Sequence, residues 1–260
     1  MLLKTRAVVL RRRVFGESDA LVTLFSPEEG RFSAIVKGMR KAKVRRSGGC
    51  DQFVLGSFLL RRGRSLALVE QVEIERSFYG LRHSLLALAV ATYLTELVER
   101  ITVEHEPQPA LFELLCLALS VLEERKADPF LLRRFFELHA LRWTGYAPEL
   151  DRCVRCGQEV EGSCWASPAA GGILCAACGP QGSDAFPLSG GARAYLLRLR
   201  SHPPQAWGHL RLSEVAEREL DRFFRAYFLY HFETEPRSAD FLRQLWEQRV
   251  LGSSGQGVKP

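Results

Sequence analysis

The chain has 260 residues, 47% of them hydrophobic and 25% charged, which is typical of a globular protein with one large or two to three small domains. No apolar stretch approaches 18 residues and the N-terminus lacks a signal-peptide region, so the sequence predicts a cytoplasmic protein without a membrane span. The net charge of +6 is unevenly distributed. Residues 1–80 hold 16 Lys and Arg against eight Asp and Glu, whereas residues 81–260 hold 20 against 22. We therefore expect the first part of the chain to contact a polyanion.

Residues 1–80 show the short alternating segments of an all-β domain. Strands are predicted at 2–14, 20–25, 31–36, 53–60 and 65–74, with turn-forming residues between them. Five strands within about 75 residues, with the longest loop between the third and the fourth, favour a small closed barrel. An OB-fold is the leading prediction and an SH3-like barrel is the alternative.

The longest of these loops carries a dense run of positive charge. It holds six cations and no acid: Lys37, Arg40, Lys41, Lys43, Arg45 and Arg46. Such a run predicts a solvated loop that neutralises phosphates, since each phosphate contact releases condensed counterions. Arginines near the strand ends are candidates to extend this surface, namely Arg11, Arg13, Arg61, Arg62 and Arg64. A solubilising loop and solvated strand ends would give the same pattern.

Aromatic residues in the same region bear on which kind of nucleic acid the predicted barrel would bind. The predicted barrel contains Phe15, Phe25, Phe32, Phe53 and Phe58. Single-stranded nucleic acid is held by charge together with base stacking on exposed rings. The sequence does not assign which rings face outward, and the barrel core is the favoured location for most of them.

After residue 80 the pattern becomes helical and stays so to about residue 250. A nearly all-apolar segment at 85–101 predicts a buried helix, and a second helix is predicted at 110–124. A third opens with Asp128 as N-cap and Pro129 at the first helical position. Later helices are predicted at 192–200, 213–232 and 239–250, and residues 251–260 predict a flexible tail. The predicted class is multidomain α+β.

Four of the seven cysteines form two Cys-x-x-Cys pairs in an irregular, Gly-rich insertion at about 150–180. They are Cys153, Cys156, Cys175 and Cys178, with 18 residues between the pairs. This spacing is typical of a four-cysteine zinc site, so we predict one structural Zn²⁺, with a redox pair or free thiols as alternatives. Cys164 is a fifth thiol that could compete as a ligand, although burial is the favoured interpretation, as it is for Cys50 and Cys116.

Motifs for catalysis are missing from the sequence. It has no phosphate-binding Gly-rich loop, no dinucleotide fingerprint and no His-Glu-x-x-His, and its six histidines are scattered, so nothing indicates an enzyme.

One feature of the third helix suggests a site for a partner protein. Arg133 and Arg134 stand beside Phe130, Phe135 and Phe136. An apolar groove flanked by arginine could bind an acidic peptide, but ordinary helix amphipathicity explains the same residues and is the favoured interpretation.

Several short sequence segments occur at defined positions along this succession of barrel, helices and cysteine-rich insertion. They are Ala7–Leu10, Glu17–Asp19, Gly30–Gly38, Cys153–Gly157 and Gly171–Cys178. Together, over nearly the full length to about residue 250, they resemble the RecO family of bacterial DNA repair proteins. The resemblance implies an N-terminal OB-fold at residues 1–80 and a helical domain at residues 81–250 that holds a structural zinc. Because Lys37–Lys41 matches the family's basic segment, DNA contact is expected of its charged residues.

The resemblance also implies a function. It implies a non-enzymatic recombination mediator that binds single- and double-stranded DNA, anneals complementary strands and helps to load RecA on DNA coated by single-strand-binding protein. RecR and single-strand-binding protein are the implied partners, with RecF and RecA in the same pathway, and the location would be cytoplasmic and nucleoid-associated. Two alternatives remain: a zinc-stabilised scaffold without a direct DNA role, and a nuclease, which the missing carboxylate cluster disfavours.

Overall fold

The computed structural model describes residues 2–38, 48–63, 66–206 and 210–254. Packing divides the chain into two compact units, Met1–Glu124 and Arg125–Pro260. Within the described ranges, none of the helices has the length and apolar character needed to cross a bilayer. A β-barrel followed by helices confirms the predicted α+β class.

The first unit begins with a closed five-stranded barrel. Its strands are β1 (Leu2–Phe15), β2 (Asp19–Ser26), β3 (Gly30–Val36), β4 (Leu55–Arg61) and β5 (Ala67–Arg76). They are hydrogen-bonded in the order β1-β2-β3-β5-β4, and β4 also pairs with β1. Only β3 and β5 run parallel; the other pairs are antiparallel. This order is that of an OB-fold, so the leading prediction is confirmed over the SH3-like alternative.

Alternating side chains fill the barrel interior. On β2, Ala20, Val22 and Leu24 belong to the core, while the residues between them point to the other face of the sheet. The barrel closes through β1, because Val8 pairs with Phe25 of β2 and with Leu55 of β4.

Two helices, α1 (Leu85–Ile101) and α2 (Pro109–Glu123), complete the first unit. The ring of Phe25 on β2 lies 6.0 Å from that of Phe112 on α2, so the helices pack on the outside of the barrel. Gly30 shows how close this packing is: it has a φ of +64°, and a Cβ there would lie 2.1 Å from the carbonyl oxygen of Glu106. Strands give way to helices near residue 80, as predicted, but the packing boundary follows Glu124. The division into domains at 1–80 and 81–250 stays a prediction.

The second unit contains four helices and a small sheet. The helices are α3 (Pro129–Trp143), α4 (Gly190–Ser201), α5 (Glu214–Phe232) and α6 (Ala239–Ser254). The side chain of Asp128 accepts hydrogen bonds from the backbone N–H groups of Phe130 and Leu131, which confirms the predicted N-cap. Because α6 continues to Ser254, the segment predicted to be flexible from residue 251 begins as helix, and residues 255–260 lie outside the described residues.

The insertion predicted to be irregular contributes two strands to a three-stranded antiparallel sheet, and the third strand follows it in the chain. The strands of this sheet are β6 (Cys164–Ser167), β7 (Gly172–Leu174) and β8 (Phe186–Leu188), with β6 in the centre. Strands of three or four residues are too short to show a period of two in the sequence, which is why the pattern did not predict them.

A buried network of ion pairs joins α3 to α5. The guanidinium of Arg134, which is fully buried, donates hydrogen bonds to Glu217 (3.0 Å), Glu137 (2.8 Å) and Asp221 (2.8 Å). Its neighbour Arg133, 3% exposed, donates to Glu137 (2.9 Å) and Asp221 (3.1 Å). The prediction that these two arginines flank a partner-binding groove is therefore wrong: both are enclosed and bound to carboxylates of their own chain.

Asp221 shows the electrostatic effect of the network. Burial raises its pKa, but the positive charges of Arg134 and Arg133 outweigh burial and hold the pKa well below the usual range. The carboxylate therefore contributes to stability fully above its unfolded pKa of about 3.9, and this contribution is lost as the pH falls toward the folded value.

Replacing Arg134→Met should destabilise the second unit by about 3–5 kcal/mol, because the buried carboxylate of Glu217 would lose its hydrogen-bonded counter-charge and Glu137 would keep only Arg133. Urea unfolding followed by circular dichroism measures the loss. Arg218→Met is the matched control, since this residue pairs with Glu214 on the exposed face of α5 and should cost no more than about 0.5 kcal/mol. Equal losses in the two variants would contradict a structural role for the buried pair.

Candidate nucleic-acid interface and metal centre

The end of the β1–β2 hairpin protrudes from the barrel. Residues 7–10 of β1 are buried, whereas residues 11–15 are all exposed, with Val14 at 72% and Phe15 at 44%. The pairing register shifts between Val9 and Arg11, so Leu10 is an extra residue in the strand. The bulge and the exposed end together place five consecutive side chains of β1 in solvent.

The bulge decides which side chains share a face. Directly paired residues of an antiparallel pair point to the same side of the sheet. Arg13 pairs with Leu21 and Phe15 with Asp19, and both partners alternate with the core residues of β2. Arg13 and Phe15 therefore lie on the outer face.

The turn after strand β3 adds a cation at this end of the barrel. Lys37 is exposed and directly follows Val36, the last residue of β3, which lies in the core. Arg12 and Val14 take the opposite side of the hairpin because they pair with the core residues Val22 and Ala20.

The described residues on either side of the basic segment are attached to this hairpin. On one side, the backbone N–H of Gly38 donates to the carboxylate of Asp19 at 3.0 Å. On the other, Asp51 forms an ion pair with Arg12. Five of the predicted DNA contacts lie outside the described residues in this segment, and a sixth lies outside them in the β4–β5 connection: Arg40, Lys41, Lys43, Arg45, Arg46 and Arg64.

Most described cations of the barrel have a carboxylate partner. The pairs are Lys4–Glu73, Arg6–Glu75, Arg11–Glu99, Arg12–Asp51, Arg31–Glu104, Arg61–Glu70, Arg62–Glu29 and Arg76–Glu123. Arg13 and Lys37 differ: within the described part of the chain, neither has a carboxylate in ion-pair range. The uncompensated positive charge of the described barrel thus lies at the hairpin end.

Among the described residues, the predicted strand-end arginines do not form one continuous stripe. Arg61 pairs with Leu2 at the start of β1, whereas Arg13 lies near its end. Arg61 and Arg62 also lie 2.8 Å and 3.0 Å from the carboxylates of Glu70 and Glu29. Of the described strand-end arginines, only Arg11 lies beside Arg13 on β1, and its partner Glu99 is 3.6 Å away. The strand register, which a single sequence does not reveal, is what separates these residues.

The second candidate site is the cysteine cluster of the second unit. The Sγ atoms of Cys153, Cys156, Cys175 and Cys178 all lie within 4.8 Å of one another, and those of Cys156 and Cys175 are 3.8 Å apart. An ion held tetrahedrally by bonds of about 2.3 Å would separate its sulfurs by about 3.8 Å. The four cysteines can therefore hold a metal ion with all four positions filled by protein.

Tight turns bring the sulfurs together. The backbone N–H of Gly157 donates to the carbonyl of Cys153 at 2.8 Å, and Gly157 itself has a φ of +75° that favours glycine. The second pair repeats the bond, because the N–H of Gly179 donates to the carbonyl of Cys175 at 2.8 Å. Both turns are thus preformed by the backbone.

The backbone also favours thiolate at two ligands, since a hydrogen bond from the backbone of Cys178 lowers the pKa of Cys175, and Cys153 behaves similarly. Burial raises the pKa of Cys153, but N–H groups of Cys175, Cys156 and Arg155 together outweigh burial and hold the pKa at about 6. In contrast, a hydrogen bond with Cys175 raises the pKa of Cys178. Four thiolates this close together need a cation to balance their charge, which is the chemistry of a metal site.

The other cysteines lie apart from the cluster. Cys164 on β6 is 4% exposed, and burial raises its pKa to about 11, which suits packing rather than ligation. Cys50 and Cys116 are also buried.

The surroundings of the cluster offer little free positive charge. Arg152 pairs with Glu159 at 3.2 Å, and Arg155 donates to the carbonyl of Cys178 at 3.2 Å and to the side chain of Gln181. Arg155 thus links the two cysteine turns, and the segment has the contacts of a structural element.

Comparison with known proteins assigns both parts of the chain. A family model described as "Recombination protein O N terminal" matches residues 1–78, and one described as "Recombination protein O C terminal" matches residues 82–240. The chain is 36% identical over 257 residues to "DNA repair protein RecO" of Pelotomaculum thermopropionicum, covering 99% of both chains.

Two further relatives with the same name are similar over nearly their full length. Identity is 36% to the protein of Symbiobacterium thermophilum, over 93% of this chain and 97% of that protein. It is 37% to the protein of Anaeromyxobacter sp. (strain K), over 93% of this chain and 96% of that protein. The matches therefore span the barrel, the helices and the cysteine cluster together.

Proposed function

The chain belongs to the RecO family, and on that basis we propose that it is a non-enzymatic DNA-binding mediator of recombinational repair. In this role it binds single- and double-stranded DNA, anneals complementary strands and helps to load RecA on DNA coated by single-strand-binding protein.

The observation that supports DNA binding most directly is the uncompensated charge of Arg13 and Lys37. A cation already paired with a carboxylate must give up that contact to bind a phosphate, whereas an unpaired cation gains the phosphate without such a loss. These two cations lie beside the described ends of the basic segment, whose charged residues Arg40, Lys41, Lys43, Arg45 and Arg46 we include in the interface. Arg11, Arg61, Arg62 and Arg64 are proposed as weaker, outlying contacts.

Phosphate contacts of this kind carry little sequence preference. If about four to six phosphates are neutralised on a single strand, log K should fall with log salt with a slope of roughly −3 to −4. Annealing then follows from shielding two negative strands that are held close together.

The proposed partners are RecR and single-strand-binding protein, with RecF and RecA in the same pathway. Their support is family membership alone. Because Arg133 and Arg134 are buried and paired, we assign no partner contact to them.

We also propose that the metal held by Cys153, Cys156, Cys175 and Cys178 is a single structural Zn²⁺. Four thiolates in tetrahedral arrangement suit zinc, and a closed site leaves no position for substrate or water. Its role would be to stabilise a segment whose own strands are only three or four residues long.

Neutralising Arg13→Gln and Lys37→Gln together should weaken single-stranded DNA binding and make the salt slope shallower by roughly 1.4, since each lost phosphate contact removes about 0.7. Fluorescence anisotropy with a labelled oligonucleotide across a salt series measures both quantities.

The matched control is Arg61→Gln with Arg62→Gln, which removes the same charge from two cations that already have carboxylate partners. It should change affinity and slope less. Equal effects would show that total charge and not the hairpin end governs binding. Absence of DNA binding in the natural chain would favour the zinc-stabilised scaffold.

Metal analysis of the purified chain should find one zinc per molecule. Cys153→Ser with Cys156→Ser should abolish it and lower the stability by about 2 kcal/mol or more, roughly 4–8 °C in Tm, while DNA affinity stays within about twofold. Cys164→Ser should keep the zinc, because this thiol lies outside the cluster. A natural chain that folds without bound metal would overturn the assignment.

A further inference from the structure

Phe15 is the one phenylalanine of the described barrel residues with a largely exposed ring. Phe25, Phe32, Phe53 and Phe58 are all at most 4% exposed, whereas Phe15 is 44% exposed. A single exposed apolar residue is ordinary on a protein surface. The position of this one is less ordinary, because it shares the outer face of the hairpin with Arg13, which has no carboxylate in ion-pair range among the described residues, and lies at the same end of the barrel as Lys37.

The strand geometry sets the spacing of these three residues. Two residues apart on β1, Arg13 and Phe15 are separated by about 6.6 Å along the strand. Asp19 of β2, the partner of Phe15, stands between Phe15 on β1 and the end of β3, and its carboxylate accepts a hydrogen bond from the backbone N–H of Gly38. Lys37, in the turn after β3, is therefore roughly two strand spacings, about 10 Å, from Phe15. The exposed ring thus has Arg13 on its own face and Lys37 nearby, so that both cations could contact phosphates of a strand bound over the ring.

Part of this side chain remains accessible to solvent. At the other end of the outer face, Phe25 is covered by Phe112 of α2 at 6.0 Å. Phe15, in contrast, makes no ring contact with any aromatic side chain in the described ranges. An aromatic face beside two unpaired cations has the chemistry that binds an unpaired base of a single strand.

We propose that Phe15 stacks on an unpaired nucleobase and gives the hairpin its preference for single-stranded over double-stranded DNA. The proposal rests on the DNA-binding function above. In a duplex the base faces are already stacked on their neighbours, and exposing one costs a few kcal/mol, so the ring gains nothing there. Arg13 and Lys37 bind phosphates of either form, whereas Phe15 distinguishes between them.

The test compares Phe15→Ala with Val14→Ala, using the full chain and labelled oligonucleotides in anisotropy experiments. Val14 is a matched control, since it is adjacent, apolar and more exposed at 72%, but lies on the opposite face. Phe15→Ala should weaken binding to single-stranded oligo(dT) about 5- to 150-fold, the range that one base stacked on an aromatic ring supplies. Binding to a blunt duplex should change less than twofold, and Val14→Ala should change neither.

An oligonucleotide with abasic sites separates stacking from other effects of the substitution. It keeps the phosphates but offers no base, so the natural chain should bind it less tightly than oligo(dT), and Phe15→Ala should cause no further loss. Phe15→Trp should restore the affinity for oligo(dT), and its added fluorescence, measured against the natural chain, should be quenched on binding. Because the ring is exposed, thermal unfolding should show little change in either variant.

Each outcome decides the proposal. A loss confined to base-containing single strands supports it, whereas equal losses on single strands, duplex and abasic DNA, or no loss at all, overturn it while leaving the phosphate interface intact. Failure of the natural chain to bind any DNA would instead overturn the proposed function, and the stacking role with it.

Discussion

Closure of the barrel through β1 is the constraint on which the rest of the first unit depends. The strand has 14 residues and is shared: its first half pairs with β4, and its second half with β2. Val8, which pairs with both, is the point where one partner replaces the other. Beyond Leu10 the strand is longer than closure requires, so its last residues leave the barrel with solvent on both faces. The projecting hairpin is thus a geometric result of closing a small sheet around one long strand.

Charge compensation then determines which part of a basic unit can act on a polyanion. A contact between exposed charges contributes little to stability, about 0–1 kcal/mol, but it reduces the field that a phosphate would meet. In the barrel this compensation is widespread, and it leaves Arg13 and Lys37 as the described exceptions. In the second unit the same chemistry has a different role, because Arg134 is enclosed with its carboxylates and serves the fold.

The sequence predicted the features that depend on local chemistry. Strand alternation indicated the barrel, Asp128 and Pro129 marked the start of α3, and the Cys-x-x-Cys spacing identified the four cysteines that lie close enough to hold a metal ion. The sequence did not predict contacts between residues that are distant in the chain. Arg134 pairs with Glu217, 83 positions away, and the residue pattern of α3 alone does not identify this partner. For the same reason, the packing of α1 and α2 on the barrel could not be predicted from their apolar pattern. The outward ring of Phe15 was hidden by the bulge, since simple alternation from Val9 would have placed it on the core side.

The bulge at Leu10 also has a consequence for how this surface can change in evolution. Which side chains of the hairpin end face outward is a matter of parity, counted from the core position Val9 with the bulged Leu10 left out. Loss of Leu10 together with the bulge would leave all pairing beyond it unchanged, so Arg13 and Phe15 would keep the outer face. Loss of one regularly paired residue beyond the bulge, such as Arg11, would instead exchange the two sets and turn Phe15 to the other face. A one-residue deletion at the bulge therefore preserves this surface, whereas the same deletion one position further along the strand changes all of it at once.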